Sequence, residues 1–322
     1  MIEIVACSEA MREVLRLAGR VAPTDANLLV TGESGTGKDA LAGFVHSRSA
    51  RATGPLVKID CAALPSDLLE AELFGFERGA FTGATQAKPG RIEAAHKGTL
   101  VLDEVAHLTT DAQAKLLRVI ERREFERLGG RRTLRVDARL VALTNVDLDN
   151  AVRRRAFRED LFYRLNVVRI NLPPLRERTE DIEPLATKFL AAFAAKHGRT
   201  ASRFAAPALE ILRLYDFPGN VRELANTIER ATIVATGEVV GAEDLPEAVR
   251  VAAGARARRT RRPTLAELEA DYVREVLAEA RGNKSEAARV LGISRKNLYE
   301  KLARYGAERR ELASGEKERT DI

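Results

Sequence analysis

Leu28-Leu29-Val30-Thr31-Gly32-Glu33-Ser34-Gly35-Thr36-Gly37-Lys38-Asp39 is an apolar run that breaks into glycines and closes on a lysine. Leu28–Thr31 predicts a buried strand, and Lys38–Ser47 carries the pattern of a helix. Between them the glycines let successive N–H groups turn inward on phosphate oxygens. The helix start adds its positive dipole, and Lys38 is long enough to reach β and γ phosphates. Gly32, Glu33, Ser34, Gly35, Thr36, Gly37, Lys38 and Asp39 are therefore the expected nucleotide-binding residues. Asp39 stands where such a loop normally offers a Ser or Thr hydroxyl to Mg²⁺, so a carboxylate is expected to serve the metal through water.

Outward from this loop, short apolar runs recur at Leu56–Ile59, Leu100–Leu102, Leu140–Leu143 and Val167–Ile170. Helical patterns lie between them at Asp67–Phe74 and Ala112–Arg123, and an amphipathic helix capped by Ser8 runs to Val21. This alternation predicts an α/β fold, a parallel sheet with covering helices over residues 1–172. The run Leu100-Val101-Leu102 ends in Asp103 and Glu104, the first acid suited to hold Mg²⁺ and the second to polarise an attacking water. Asn145 closes the next strand, where its amide would lie beside a γ-phosphate. After Pro173-Pro174 the strands stop, and 173–246 reads as an all-helical subdomain. Residues 247–263 read as a basic linker without a periodic apolar face. The capping box Thr264–Glu267 opens a last helical unit, 264–306, and 307–322 is a polar tail.

Composition narrows the class. The chain has 322 residues with 53 basic and 47 acidic side chains, a net charge of +6. Glu247 to Ile322 holds 18 of the basic and 13 of the acidic residues, so nearly all the excess sits in the last quarter, as a polyanion-binding tail would require. No apolar run approaches the ~20 residues of a membrane span, and the N-terminus lacks a signal-peptide apolar region. Cys7 and Cys61 have no metal or disulfide spacing, which makes a reducing, cytoplasmic setting the expectation.

Further strings are recognisable: Glu72–Gly75 followed by Gly79-Ala80-Phe81-Thr82-Gly83-Ala84, Phe157–Leu165, Leu172–Arg178 and Pro218–Leu224. With the phosphate loop and Leu102-Asp103-Glu104 they resemble the AAA+ domain of NtrC-type bacterial enhancer-binding proteins, the ATP-driven activators of sigma-54 RNA polymerase. The match spans about Ser8 to Pro246, and Gly79–Ala84 is its most specific part. The resemblance implies that Gly79, Ala80, Phe81, Thr82, Gly83 and Ala84 form a loop that contacts sigma-54 and is moved by ATP hydrolysis. It implies that Arg158 and Arg164 act as arginine fingers on a neighbour's nucleotide in a ring hexamer, and that Arg222 senses nucleotide from the helical lid. Lys38, Asp103, Glu104 and Asn145 would complete the catalytic set, with ATP and Mg²⁺ as cofactors and Asp103 and Asp39 toward the metal. Three positions depart from the family pattern. Asp39 stands for the usual Glu, and Phe217 for the usual Trp, a change of packing alone. Asp60 replaces the Asn that holds the catalytic glutamate as a switch; an ionised Asp60 cannot donate to Glu104 and would repel it.

The last unit reads as a helix-turn-helix, with a first helix over Thr264–Ala280, a turn at Gly292, and Ser294 capping the recognition helix. Ser294, Arg295, Lys296, Asn297, Lys301 and Arg304 are its expected double-stranded DNA contacts. It resembles the Fis-type domain of the same family, which implies dimers through the first helix and palindromic enhancer sites. About seven residues precede the AAA+ match, too few for a receiver or sensing domain, so control is expected from a separate regulatory protein unless the chain is constitutive or truncated. The alternatives are a DNA-binding regulator whose core holds nucleotide without engaging sigma-54, and a general AAA+ remodeller. The intact Gly79–Ala84 string with Arg158 and Arg164 counts against the first, and that string with the Fis-type tail against the second.

Overall fold

The computed structural model describes residues 4–260, 265–280 and 282–304, which fall into two compact units divided between Ala253 and Gly254. The first unit is built on five parallel strands: β1 (Leu28–Thr31), β2 (Leu56–Asp60), β3 (Thr99–Asp103), β4 (Arg139–Thr144) and β5 (Val168–Asn171), in the order β2-β3-β4-β1-β5. Strands β1 and β4 are buried at every position, which is why both read as unbroken apolar runs. Strand β2 lies at the edge, and its alternate residues Leu56, Lys58 and Asp60 are exposed.

Helices α1 (Glu9–Val21), α2 (Lys38–Ser47), α3 (Ser66–Phe74), α4 (Thr110–Arg122) and α5 (Glu159–Leu165) accompany the sheet. One core gathers Met11, Val14, Ala18, Leu41 and Val45 against Leu28 and Val30. The other gathers Leu73, Phe74, Leu116 and Leu161 against Leu29, Leu100 and Leu102. Ser8 caps α1 through the Met11 N–H, 3.3 Å away. The same serine ties α1 to the following subdomain, because its backbone N–H and hydroxyl both donate to the fully buried Asp181, at 2.8 and 2.9 Å.

That subdomain comprises α6 (Ile182–His197), α7 (Ala206–Leu214) and α8 (Asn220–Val234), packed on Leu185, Leu190, Leu212, Leu224 and Ile228. The sequence predicts an all-helical subdomain; instead Arg203–Phe204 and Val239–Val240 pair as two-residue parallel strands. Two residues are too few to show a strand period. Phe217 is fully buried and meets Tyr215 edge-on with ring centroids 4.9 Å apart, so the position expected to differ only in packing is a core position.

Residues 247–263 were expected as a linker; instead a helix, α9 (Glu247–Thr260), occupies most of them. Alanine and arginine are strong helix formers, so propensity there overrides the missing amphipathic stripe. Val249 and Ala253, four residues apart, are buried. The arginine side chains at 258, 259, 261 and 262, the cap at Thr264 and the tail 307–322 lie outside the described residues.

The second unit contains α10 (Leu265–Glu279), α11 (Lys284–Val290) and a helix over residues 295–304. Val273, Val276, Ala287, Ala288 and Leu298 form its core. The apolar positions along its first helix are divided: Val276 is buried, whereas Leu265, Leu268 and Tyr272 are exposed.

Candidate nucleotide site and partner surfaces

The C-terminal ends of β1, β3 and β4 bring the expected catalytic groups together. Ligand crevices of open parallel sheets form at this edge. Gly32, Gly35 and Gly37 all have positive φ, 149°, 77° and 104°. Gly35 also has no room for a side chain, since a Cβ there would lie 2.3 Å from the Gly219 carbonyl oxygen. The loop delivers α2 with Gly37 at its cap and no side-chain cap, which leaves the helix's first N–H groups for an anion. Lys38 is 7% exposed, and its Nζ donates to the carbonyls of Gly32 and Glu33 at 2.9 and 3.2 Å.

Asp103 ends β3, and Glu104 follows in a left-handed conformation, φ 52° and ψ 50°. A non-glycine residue held there stores strain of about 1–3 kcal/mol, which is characteristic of reactive loops. One Glu104 oxygen accepts from the Asn145 backbone N–H at 3.1 Å, and the other lies 3.8 Å from Lys38 Nζ. Asn145 thus meets Glu104 through its main chain. Asp60 pairs in register with Asp103, is exposed, and accepts from the Ala62 N–H at 2.9 Å. Its oxygen is turned to its own loop, and Glu104 is held from the opposite neighbour strand.

Lys58 is a participant that the sequence does not signal. Its Nζ lies 2.5 Å from Asp39 Oδ1 and 2.9 Å from Asp103 Oδ2. Burial works against its charge, but the two carboxylates outweigh burial and hold the ammonium above the ordinary lysine range. Asp39 and Asp103 thus converge on one cationic nitrogen. Among the described residues no three His, Cys, Asp or Glu side chains form a metal-binding group. Mg²⁺ is usually held by one or two carboxylates together with phosphates, and Asp39 and Asp103 are two converging carboxylates. Cys61, beside this cluster, is 2% exposed; burial and then the nearby carboxylates push its thiol up to about 12, which disfavours the thiolate.

The cleft, about 270 Å³, is closed on its other side by α6 and α8 through Phe189, Val221, Arg222 and Ala225. Arg222 donates to Ser34 Oγ at 2.9 Å. Asn220, fully buried, donates to the Ser34 carbonyl and to Glu33, at 3.0 and 3.1 Å. Arg176 forms a two-pronged pair with Glu33 at 2.9 and 2.7 Å. The hydrogen bonds from Arg176 and then Asn220 lower the Glu33 carboxyl from 4.5 to about 2. A lowered carboxylate contributes stability above its unfolded value and loses it as pH falls toward its folded value. The difference in urea midpoint between wild type and Glu33→Gln should therefore be constant near neutrality and shrink as pH falls from 4.5 toward 2. A difference that stays constant over that range would mean that Glu33 does not hold the subdomain to the loop by charge.

Arg158 and Arg164 do not line this cleft. Arg158 is paired with Asp160 at 2.7 Å, and Arg164 with Glu121 at 2.9 Å, both in exposed positions. Phe81 is 44% exposed and meets Phe76 edge-on at 4.9 Å between centroids. Around it the loop is folded on itself: the Gly79 N–H donates to the Ala84 carbonyl at 2.8 Å, and Ala84 is buried. Thr82 is exposed, and Gly79 and Gly83 have φ of 83° and 102°. In the second unit Gly292 makes the turn at φ 66°, and Ser294 accepts from the Asn297 N–H at 3.2 Å as the expected cap. Arg295, Lys296, Asn297 and Arg304 are exposed, whereas Lys301 is engaged with Glu269 at 2.5 Å.

Three family models match the chain. Residues 4–171 match the sigma-54 interaction domain, 176–262 the AAA+ ATPase lid domain, and 264–305 the bacterial regulatory protein, Fis family. Regulatory protein AtoC of Escherichia coli K12 is 44% identical over 311 residues, covering 94% of this chain and 68% of AtoC. The chain belongs to the NtrC-type sigma-54-dependent transcriptional activators. This activator is also 47% identical over 304 residues to the transcriptional regulatory protein ZraR of Klebsiella oxytoca, with 94% of this chain and 68% of ZraR covered. A crystal structure of NtrX from Brucella abortus in complex with ADP superposes on the activator with a TM-score of 0.72 at 34% identity, covering 95% of this chain and 70% of NtrX. An ATP complex of NtrX matches with the same TM-score and identity, covering 94% and 70%. The activator thus has the AAA+ P-loop fold, a lid, and a Fis-type helix-turn-helix.

Proposed function

We propose that this sigma-54-dependent activator hydrolyses ATP in the cleft between the Gly32–Asp39 loop and the lid, and uses the cycle to drive the Phe81 loop against sigma-54. The observation that carries this reading is the meeting of Lys38, Asp103, Glu104 and Arg222 in one cleft, while an exposed aromatic stands on a glycine-hinged loop. Lys38 and the N–H groups of Gly35–Asp39 would bind the β and γ phosphates. Asp103 and Asp39 would hold Mg²⁺, which supplies charge neutralisation on the phosphates. Glu104 would orient the attacking water, with Asn145 fixing its carboxylate through the backbone N–H. Arg222 on the lid would report the bound nucleotide. With its acceptor oxygen on Ala62, Asp60 would act on the switch by its charge beside Asp103.

The ring reading is supported by Arg158 and Arg164, which are exposed and do not line their own chain's cleft, as groups serving a neighbour need not. Leu265, Leu268 and Tyr272 offer an apolar surface for pairing the Fis-type units. Exposed Arg295, Lys296 and Asn297 at the start of the last helix would then read the major groove of enhancer DNA, with Ser294, Arg304 and Lys301 supporting it. The NtrX crystals with ADP and ATP support an adenine nucleotide as the ligand.

The test is open-complex formation on a sigma-54 promoter by purified wild type and Thr82→Ala. Thr82 lies outside the cleft, so the variant should hydrolyse ATP within about twofold of wild type and fail to open the promoter. Equal promoter opening by both would remove the loop from the mechanism.

A further inference from the structure

Resting on the metal-site reading just given, we propose that Lys58 is a protein-borne cation occupying the place that Asp39 and Asp103 offer to a divalent metal, and that Mg²⁺ must displace it. The lysine belongs to edge strand β2, where alternate side chains leave the core, so packing does not require it. Its ammonium nevertheless touches both carboxylates of the candidate metal pair, at 2.5 and 2.9 Å. These two acids come from different elements, one opening α2 and one ending β3.

Charge explains the arrangement. Asp39, Asp60, Asp103 and Glu104 put four carboxylates at this strand edge, and Lys38 is turned toward the loop carbonyls and Glu104. Lys58 is therefore what neutralises the Asp39–Asp103 pair. An ammonium is a compact point charge with three donors, and it satisfies two carboxylates as a hard cation would. It differs from Mg²⁺ in its tether, a flexible stem of four carbons that can swing away without moving the strand. Asp60, two residues on and on the same exposed face of β2, is an acceptor within reach of the displaced ammonium. The Mg²⁺ site would then open chiefly when nucleotide phosphates arrive with the metal. Free divalent cation would be kept out of the nucleotide-free cleft.

The test uses the full chain and Mn²⁺ as probe, with free Mn²⁺ read by electron paramagnetic resonance in the absence of nucleotide and with ADP. Without nucleotide, Lys58→Met should bind Mn²⁺ about tenfold more tightly than wild type, the effect expected for removing a half-exposed charge at contact distance. Lys58→Arg keeps the charge and should stay within about twofold of wild type. Adding Asp103→Asn to Lys58→Met should abolish the gain. The proposal is overturned by unchanged Mn²⁺ affinity in Lys58→Met or by an equal gain in Lys58→Arg. Failure of the underlying metal site would show separately, as Mn²⁺ binding to the wild-type ADP complex that Asp103→Asn leaves intact; that result overturns the proposal too.

Discussion

Glu104→Gln is expected to bind ATP with wild-type affinity and to hydrolyse it about 10²–10⁴-fold more slowly, the usual loss when a positioned carboxylate no longer activates its water. The geometry separates the two effects. Glutamine keeps the shape of the side chain and an oxygen for the Asn145 N–H, so the left-handed turn after β3 has no reason to rearrange. What disappears is the negative charge that draws a proton from water. Lys38 keeps its two carbonyl contacts when the 3.8 Å ion pair to Glu104 is lost, so phosphate binding survives. Phosphate release and nucleotide titration, measured on the same preparation, decide the matter. A variant retaining more than about a tenth of the wild-type rate would transfer the water-orienting role to another group.

The residues of this cleft differ in how far the sequence alone reveals them. The loop Gly32–Asp39 is legible because its chemistry is local: backbone freedom, a helix start and a lysine must fall within a few residues, and they do. Asp103 and Glu104 are legible for a related reason, since two acids at the end of an apolar run stand out from the strand they terminate. Lys58, Arg176 and Asn220 gather there by a different route. Their partners Asp39, Asp103 and Glu33 lie on other elements, and only the β2-β3-β4-β1-β5 order and the folded lid bring them within hydrogen-bond range. Edge strand β2 shows the limit clearly. Alternation predicts that Lys58 is exposed, and exposure is the ordinary fate of a lysine, so nothing in the pattern marks it as part of a site.

The same distinction holds for the fold. The buried strands β1 and β4 announce themselves, because burial on both faces leaves continuous apolar runs. Residues 247–260 mislead because a helix rich in Ala and Arg needs no apolar stripe to form, and the two buried positions Val249 and Ala253 are too few to show one. In α10 the stripe is real but serves two purposes. Val273 and Val276 close the core of the unit, and Leu265, Leu268 and Tyr272 remain outside it. Periodicity identifies an apolar face without saying whether the same chain covers it.

Arg158→Ala and Arg164→Ala should each reduce ATP hydrolysis by about 10³–10⁵-fold, the range for loss of an arginine that offsets charge on the transferred phosphoryl. Each variant should still bind nucleotide, because neither arginine lines the cleft of its own chain. Arg158 is held by Asp160 and Arg164 by Glu121, pairs exposed enough to exchange for a phosphate at small cost. The decisive measurement is mixing. Arg158→Ala keeps an intact cleft and lacks the finger, whereas Glu104→Gln keeps the finger and lacks the water-orienting acid. In a ring with shared sites, a Glu104→Gln protomer beside an Arg158→Ala protomer completes one competent site, so the mixture should hydrolyse ATP far faster than either variant alone. The same complementation should hold for Arg164→Ala. If mixtures of stably folded variants show only the sum of the two separate rates, the arginines act within their own chain. Since neither lines the cleft, reaching it would then take a movement of α5, in which Arg158 is the N-cap and Arg164 lies in the last turn.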